Sequence, residues 1–184
     1  MKSMTSTQRV ATAGTYRKLA KLIGGPGMKV LDYGAGLCHG TAILGANAQS
    51  FEPNPQPGIE PDYTDAQDIP RFRYDAVVCN CVLNVVDNHE TRIKILENLW
   101  DLIHSDGSIY IMVRSHSDVN SIKRATPDGD GVRTSTGSFQ RGFDHKELRD
   151  LIELALPHEN LRMEKVEGIS SIGIRLTMRN REVF

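Results

Sequence analysis

Residues 30–41 combine a buried strand, a tight glycine turn at 34–38 and the start of a helix, and no other segment constrains the fold as strongly. Val30 and Leu31 suit a central parallel strand. Gly34 and Gly36 lack a Cβ atom, so the backbone can approach a ligand closely. The helix that follows presents free N–H groups and a favourable dipole end. The segment therefore predicts a nucleotide-type ligand site at the carboxyl end of a strand.

Hydrophobic periodicity divides the rest of the chain into alternating strands and helices. Strands are predicted over residues 28–33, 48–52, 74–80, 108–114, 161–166 and 171–178. Helices are predicted over residues 5–23 and 39–46. Two capping boxes, Asp87 with Glu90 and Asp144 with Glu147, begin further helices that end near 103 and 157.

These elements predict an α/β fold with one parallel sheet, helices on both faces and a C-terminal antiparallel hairpin. Residues 54–73 contain no confident helix, so the sheet is reduced between its second strand and the strand at 74–80. The whole chain is expected to form one domain. Its parts are an N-terminal helix (1–24), a ligand-binding core (28–114), a substrate-side loop (115–143), and a helix with hairpin (144–184).

The glycine spacing distinguishes between two kinds of ligand. A dinucleotide fingerprint reads G-x-G-x-x-G and meets a pyrophosphate, whereas this chain reads G-x-G-x-x-x-G and has Asp32 two residues before Gly34. A carboxylate is unfavourable beside a pyrophosphate but favourable beside an ammonium group. The stretch L-D-x-G-x-G resembles the first motif of class I S-adenosylmethionine (SAM)-dependent methyltransferases. The resemblance implies a Rossmann-like fold, SAM as cofactor with S-adenosylhomocysteine as product, and Asp32, Gly34, Ala35 and Gly36 as cofactor-binding residues.

Two further stretches extend the resemblance. Glu52, followed by Pro53, ends the second predicted strand, where an acid can accept both ribose hydroxyls; the alternative is a solvated glutamate at a strand end. Residues 65–70 resemble the D-A-x-D-[LI]-P stretch of many SAM methyltransferases. That likeness implies that Asp65 and Ala66 contact adenine, and the alternative is a solvated turn in which Asp65 is a local cap.

Residues 75–86 resemble the pattern that closes the SAM site on the family's fourth strand, which implies that Asn80 and Cys81 contact the methionine moiety. The [DN]-P-P-[YF] motif of exocyclic amino methyltransferases is absent from this segment. The acceptor is therefore expected to be a small molecule, or an oxygen, carbon or sulfur nucleophile, rather than the amino group of a base. The region 82–114 is also similar to methyltransferases carried by phages or associated with DNA phosphorothioation.

The predicted loop at 115–143 is the expected substrate side. His116 opens it and is the candidate general base, although a lone histidine there is more often a surface residue; His39 and His145 are weaker candidates. Arg114, Arg133, Phe139 and Arg141 form a candidate substrate wall that suits one phosphate or carboxylate, because arginine binds such groups in a bidentate manner. The alternative is a polar lid packed by Phe139 and Phe143.

Bulk composition limits the partners. The formal net charge is −1, with 24% charged residues, so a nucleic-acid acceptor is allowed but not supported by charge. No apolar run reaches the roughly 18 residues of a membrane span, and a cytoplasmic location is expected. The cysteines at 38, 79 and 81 lack zinc-knuckle spacing, so no metal is predicted. Cys38 lies near a helix N-terminus, which predicts a lowered thiol pKa.

Three functions remain open from the sequence. A small SAM-dependent methyltransferase is the leading one. A non-catalytic SAM-binding or scaffold subunit is the second, because the segment 54–73 is short and no base is obvious. An NAD(P)-linked oxidoreductase is the third, and Asp32 together with the terminal hairpin counts against it. The oligomeric state, and whether the N-terminal helix covers the cofactor or only packs on the sheet, stay undecided.

Overall fold

The computed structural model describes residues 11–25, 27–157, 161–169 and 171–178. The predicted helix at 5–23 is seen from Ala11, and its first residues lie outside the described ranges. The helices are α1 (Ala11–Ile23), α2 (His39–Leu44), α3 (His89–Leu102), α4 (His116–Asn120) and α5 (His145–Ala155). The strands are β1 (Val30–Tyr33), β2 (Ala48–Phe51), β3 (Tyr74–Asn80), β4 (Ile103–Val113), β5 (Thr126–Asp128), β6 (Gly131–Arg133), β7 (Phe139–Gln140), β8 (Leu161–Lys165) and β9 (Ile172–Met178).

Within the described residues, the main sheet has six strands in the order β2-β1-β3-β4-β9-β8. The strands β2, β1, β3 and β4 are mutually parallel. Strand β9 runs antiparallel to β4, and β8 completes the hairpin against β9. This arrangement confirms the predicted parallel sheet with a C-terminal antiparallel hairpin. Across the described ranges, no helix has both the length and the apolar character needed to cross a bilayer.

Side chains that alternate along β1 divide the core into two layers. Leu31 and Tyr33 face the layer that contains the apolar side chains of α3 and α5. Val30 faces the opposite layer, which contains Tyr16 and Leu19 of α1. Helices therefore cover both faces of the sheet, as predicted. Asp32, two residues after Val30, faces the α1 side.

The expected reduction after β2 is confirmed. Between β2 and β3 the structure has a single 3-10 turn (Ala66–Asp68) and neither a further α-helix nor a further strand in this fully described segment. One parallel bridge joins Phe51 to Tyr63. Asp62 accepts hydrogen bonds from the Ser50 amide and hydroxyl at 2.7 and 2.8 Å. A minimal connection thus protects the edge of β2 without adding a strand.

Residues 115–143, called the insert below, are not the open loop that the sequence predicts. They contain α4 and, in this fully described segment, a three-stranded antiparallel sheet in the order β5-β6-β7. The turn residues at 128–131 connect β5 to β6 as a hairpin. Gly and Asp mark tight hairpin turns as readily as loops, which is why this prediction was wrong.

Two local predictions about helix and strand boundaries are also corrected. Helix α3 is capped by Asn88, whose side chain accepts from the Thr91 amide at 2.9 Å, so the predicted box of Asp87 with Glu90 is wrong. The second box, of Asp144 with Glu147, is confirmed. Residues 105–107, between the predicted helix end near 103 and the predicted strand at 108–114, belong to β4, where the pairing with β3 shifts register.

Candidate functional site

The glycine turn lies at the carboxyl ends of β1 and β2. Gly34 and Gly36 have φ values of 77° and 57°, in the left-handed region that favours glycine. The amides of Gly34 and Ala35 both donate to the carbonyl of Phe51, at 2.8 and 2.9 Å. A Cβ atom at Gly34 would overlap the side chain of Val82. Only glycine therefore lets this turn pack against the loop that follows β3.

Asp32 is completely buried at the base of this turn. One carboxylate oxygen accepts from the hydroxyl of Tyr16 at 2.8 Å, and the other accepts from the hydroxyl of Thr41 at 2.8 Å. Burial raises the pKa of Asp32 to about 6, the two hydroxyl donors act in the opposite direction, and the nearby charge of Glu52 raises it further. Both donors are neutral, and no described cationic side chain forms an ion pair with Asp32. At neutral pH the site therefore holds a buried negative charge that a ligand cation would stabilise.

Glu52 is the second buried acid and directly follows β2. Its side chain accepts from the amide of Gly36 at 2.9 Å and from the amide of Asn54 at 3.0 Å. Pro53, next to it, is exposed. The strand register pairs Asp32 with Ser50, so both acids lie at the same edge of the sheet. The solvated-glutamate alternative is wrong, because Glu52 is only 6% exposed.

Tyr16 and Thr41 were not recognised from the sequence. Tyr16 is 1% exposed, and its ring packs so closely on Gly40 that a Cβ atom there would overlap it. Helix α1 therefore packs directly over the first turn of α2 and reaches the carboxylate of Asp32. The three-residue spacing from Tyr16 to the buried Leu19 was the available signal, because it places both on one helix face.

The last residue of β3, Asn80, and the residue that follows it, Cys81, lie at the same edge. Asn80 accepts a weak hydrogen bond from the thiol of Cys81 at 3.6 Å. Cys81 has a φ of 61° and Cys38, before α2, has a φ of 58°; such conformations are strained for residues other than glycine. Burial raises the pKa of Cys81 to about 11. Burial also raises the pKa of Cys38, and the charges of Asp32 and other nearby acids add to this, so the predicted lowering was wrong.

The residues expected near adenine lie on the 3-10 turn. Asp65 is exposed and accepts from the Gln67 amide at 2.9 Å, which makes it a local cap. Ala66 packs against the main core. A contact of either residue with adenine stays a prediction. Among the residues that the structure describes, no group of three or more His, Cys, Asp and Glu side chains is arranged to hold a metal ion.

His116 begins α4, and its side chain is 52% exposed. Its Nε2 atom is hydrogen-bonded to Glu147, and its backbone lies against Gly142. His39 is exposed, and burial lowers the pKa of His145. The structure thus gives His116 a carboxylate partner, and its role as a base stays a prediction.

The predicted substrate wall is partly occupied by internal ion pairs. Arg133 pairs with Asp128 at 2.6 Å and with Asp87 at 3.4 Å. Arg141 pairs with Asp130 at 3.1 Å and stacks 4.4 Å from the Phe143 ring centroid.

The other two members of the predicted wall are placed differently. Phe139 is buried, with the Arg92 guanidinium 5.8 Å from its ring centroid. Arg114 donates to the side-chain oxygen of Gln140 at 3.1 Å.

Comparison with known proteins identifies solved structures that share this fold. Neither a protein-family model nor a curated protein matches the chain, but solved structures do. One is the 1,6-didemethyltoxoflavin-N1-methyltransferase of Burkholderia thailandensis, with bound 1,6-didemethyltoxoflavin and S-adenosylhomocysteine. It aligns with a TM-score of 0.67 and 18% identity over 93% of this chain and 79% of its own.

Two other solved structures also align with most of the chain. The sugar N-methyltransferase KedS8 from Streptoalloteichus has a TM-score of 0.64 and 15% identity over 93% of this chain and 88% of its own. The PH0226 protein of Pyrococcus horikoshii has a TM-score of 0.66 and 14% identity over 96% and 94%. The chain has the Rossmann-like fold of these structures. At such identities the likeness concerns the fold, so function has to be argued from the site.

Proposed function

We propose that the protein transfers a methyl group from SAM to an acceptor. The observation that carries the proposal is Asp32, a completely buried carboxylate at the glycine turn with two neutral donors. A ligand with an ammonium group supplies the missing positive charge, whereas a pyrophosphate would add to the buried negative charge. Solved structures with this fold support the choice, since one of them, a methyltransferase, holds S-adenosylhomocysteine.

The residues of the site fit SAM group by group. The buried charge of Asp32 attracts the ammonium from beneath the turn, and Glu52 accepts from the ribose hydroxyls while it stays bonded to the Gly36 amide. Asn80 and Cys81 meet the methionine moiety. Gly34, Ala35 and Gly36 form the turn against which the ligand lies, and Gly36 lacks a Cβ atom that would hold the ligand away from the backbone.

Asp65 and Ala66 receive the adenine in this proposal. Pro53 closes the ribose side beside Glu52. The amides of Gln67 and Asp68 already donate to Asp65, so the main-chain contact proposed for the base is to Ala66.

The cofactor supplies an activated methyl group: the acceptor's lone pair forms the new bond to carbon, and the electrons of the broken C–S bond stay on sulfur. The contribution of the chain is alignment and exclusion of water. Helix α1 covers the site through Tyr16, which is 1% exposed. An acceptor that arrives protonated gives its proton to a base, and His116, hydrogen-bonded to Glu147, is the candidate for that role.

For the acceptor we propose a small molecule. The chain lacks the [DN]-P-P-[YF] motif at residues 80–83, and its net charge of −1 does not favour a polyanion. Neighbours of this fold include enzymes named for a sugar and for 1,6-didemethyltoxoflavin. An oxygen, carbon or sulfur nucleophile is favoured over the exocyclic amine of a base.

Calorimetric titration with SAM, S-adenosylhomocysteine and NADH in parallel tests the proposal. We expect micromolar binding of both adenosyl ligands, weakened at least about tenfold in Asp32→Ala and Glu52→Ala. The first change removes the buried charge that attracts the ammonium, and the second removes the charge-assisted contact with the ribose. Asp106→Ala, an exposed acid of β4, is the matched control and should bind as the wild type does. Binding of NADH alone, or of none of the three, would overturn the proposal.

A further inference from the structure

The arginines around the insert differ in whether a carboxylate neutralises them. Arg92 is completely buried and pairs with Asp130 through both of its terminal nitrogens, at 2.6 and 2.9 Å. Arg133 and Arg141 also have carboxylate partners. Among the described residues, no carboxylate lies within 4 Å of the Arg114 guanidinium, which donates to the neutral amide oxygen of Gln140 at 3.1 Å.

Arg114 is nevertheless held in a defined position. Its amide donates to the side-chain oxygen of Asn84 at 3.0 Å, and its carbonyl accepts from the Phe143 amide at 2.9 Å. Asn84 is completely buried, and Gln140, whose side-chain oxygen orients the guanidinium, is 6% exposed. A half-buried cation with a fixed backbone and a buried orienting amide resembles a prepared binding group more than a mobile surface arginine.

The position of Arg114 adjoins the proposed methyl-transfer site. It directly follows Val113, the last residue of β4, and β4 pairs Met112 with Asn80. Asn80 and Met112 lie on the same face of the sheet as Asp32, because residues two apart in a strand face the same side. Arg114 follows Met112 by two residues, at the same end of the sheet. The positive charge of Arg114 acts on the loop after β3, where burial raises the pKa of the Cys81 thiol and the charge of Arg114 partly lowers it.

We propose that Arg114 binds a carboxylate or phosphate group of the methyl acceptor and so presents the acceptor to the cofactor. Gln140 and Asn84 are positioning residues for it. That the bound anion belongs to a methyl acceptor rests on the proposed function, whereas the binding of an anion by Arg114 does not. Arg133 and Arg141 each have a carboxylate partner, although Arg141 shares Asp130 with the buried Arg92. Among the described residues, Arg114 is the arginine of the predicted substrate wall that has no carboxylate partner.

The test titrates sodium benzoate, inorganic phosphate and the neutral benzamide into the wild-type protein with and without saturating S-adenosylhomocysteine. We expect saturable millimolar binding of benzoate or phosphate, and at least about tenfold weaker binding of benzamide. Arg114→Gln should lower the affinity for the anions at least about tenfold. Arg114→Lys should lower it less, because lysine retains the charge but not the planar fork of arginine. Arg124→Gln, at an exposed arginine of the insert, is the control and should bind the anions as the wild type does.

Gln140→Leu keeps the test decisive if Arg114→Gln does not fold, because it leaves the charge of Arg114 in place and removes only the group that orients it. The anion affinity of Gln140→Leu should fall by less than the tenfold expected for Arg114→Gln. Absence of saturable anion binding to the wild type, or equal binding by Arg114→Gln, would overturn the inference. If S-adenosylhomocysteine does not bind but the anions do, the proposed function fails and the anion site stands. Preference for phosphate over benzoate, or the reverse, identifies which anion the acceptor carries.

Discussion

Replacing Asp32 with asparagine should make the protein more stable at neutral and alkaline pH, although the same change removes the proposed ammonium contact. Asp32 has a pKa of about 6 in the folded protein, against 3.8 for an ordinary aspartate. A tenfold change in acidity corresponds to about 1.4 kcal/mol. Ionisation of this buried carboxylate therefore costs the folded state about 3 kcal/mol relative to the unfolded chain.

The direction of the pH dependence follows from proton binding. Between pH 3.8 and about 6 the folded protein binds a proton at Asp32 that the unfolded chain has already released. The stability that this group contributes is thus complete below about pH 4 and lost as the pH rises through about 6. Asparagine does not ionise, so the variant escapes this loss. It gives up about 1 kcal/mol of hydrogen bonding, because its amide cannot accept from both Tyr16 and Thr41.

Urea unfolding, followed by the fluorescence of Trp100, measures the effect. The free energy of unfolding of Asp32→Asn minus that of the wild type should rise by about 2 kcal/mol between pH 4.5 and pH 8, and the variant should be the more stable protein at pH 8. Asp106→Asn, at an exposed acid, is the control and should show no such trend. A difference that stays constant from pH 4.5 to pH 8 would refute the argument that burial raises the pKa of Asp32.

Three further changes probe the packing of the site and the insert. Gly40→Ala should destabilise the protein by about 1–3 kcal/mol in thermal or urea unfolding, because its Cβ atom overlaps the ring of Tyr16. Asp130→Asn should cost about 2–3 kcal/mol in the same assay, since it leaves the completely buried Arg92 without its carboxylate, discounted for the partial exposure of Asp130. The thiol of Cys38 should react with iodoacetamide more slowly than free cysteine at pH 7.5, with a rate that still rises above pH 9, because burial raises its pKa; mass spectrometry of the intact protein measures it.

The two substitutions have controls in the same chain. Gly14→Ala, in α1 with open space around it, should leave stability equal or slightly higher. Asp128→Asn removes a partner of the exposed Arg133 and should change stability far less than Asp130→Asn. Equal effects of Gly14→Ala and Gly40→Ala, or of the two aspartate changes, would contradict the packing described here. Fast alkylation of Cys38 at pH 7.5 would contradict its burial.

Much of the cofactor-side geometry was readable from local sequence. The glycine turn, the acid after β2 and the alternation of strands and helices are signals that extend over a few neighbouring residues. They predicted the parallel sheet, its reduced connection at 54–73 and the terminal hairpin. They also placed Asp32 and Glu52 at one edge of the sheet, since the carboxyl ends of parallel strands meet there.

Contacts between distant segments were decided only by the tertiary structure. The hydroxyl of Tyr16 reaches Asp32 because α1 packs over α2, and Asp130 neutralises Arg92 across 38 positions of sequence. The sequence could not rank the arginines of the predicted substrate wall, whereas folding paired Arg133 and Arg141 with carboxylates and left Arg114, directly before the insert, beside the site. The physical reason is that periodicity and turn chemistry act over a few residues, while the pairing of buried charges depends on which surfaces the packed helices and strands bring together.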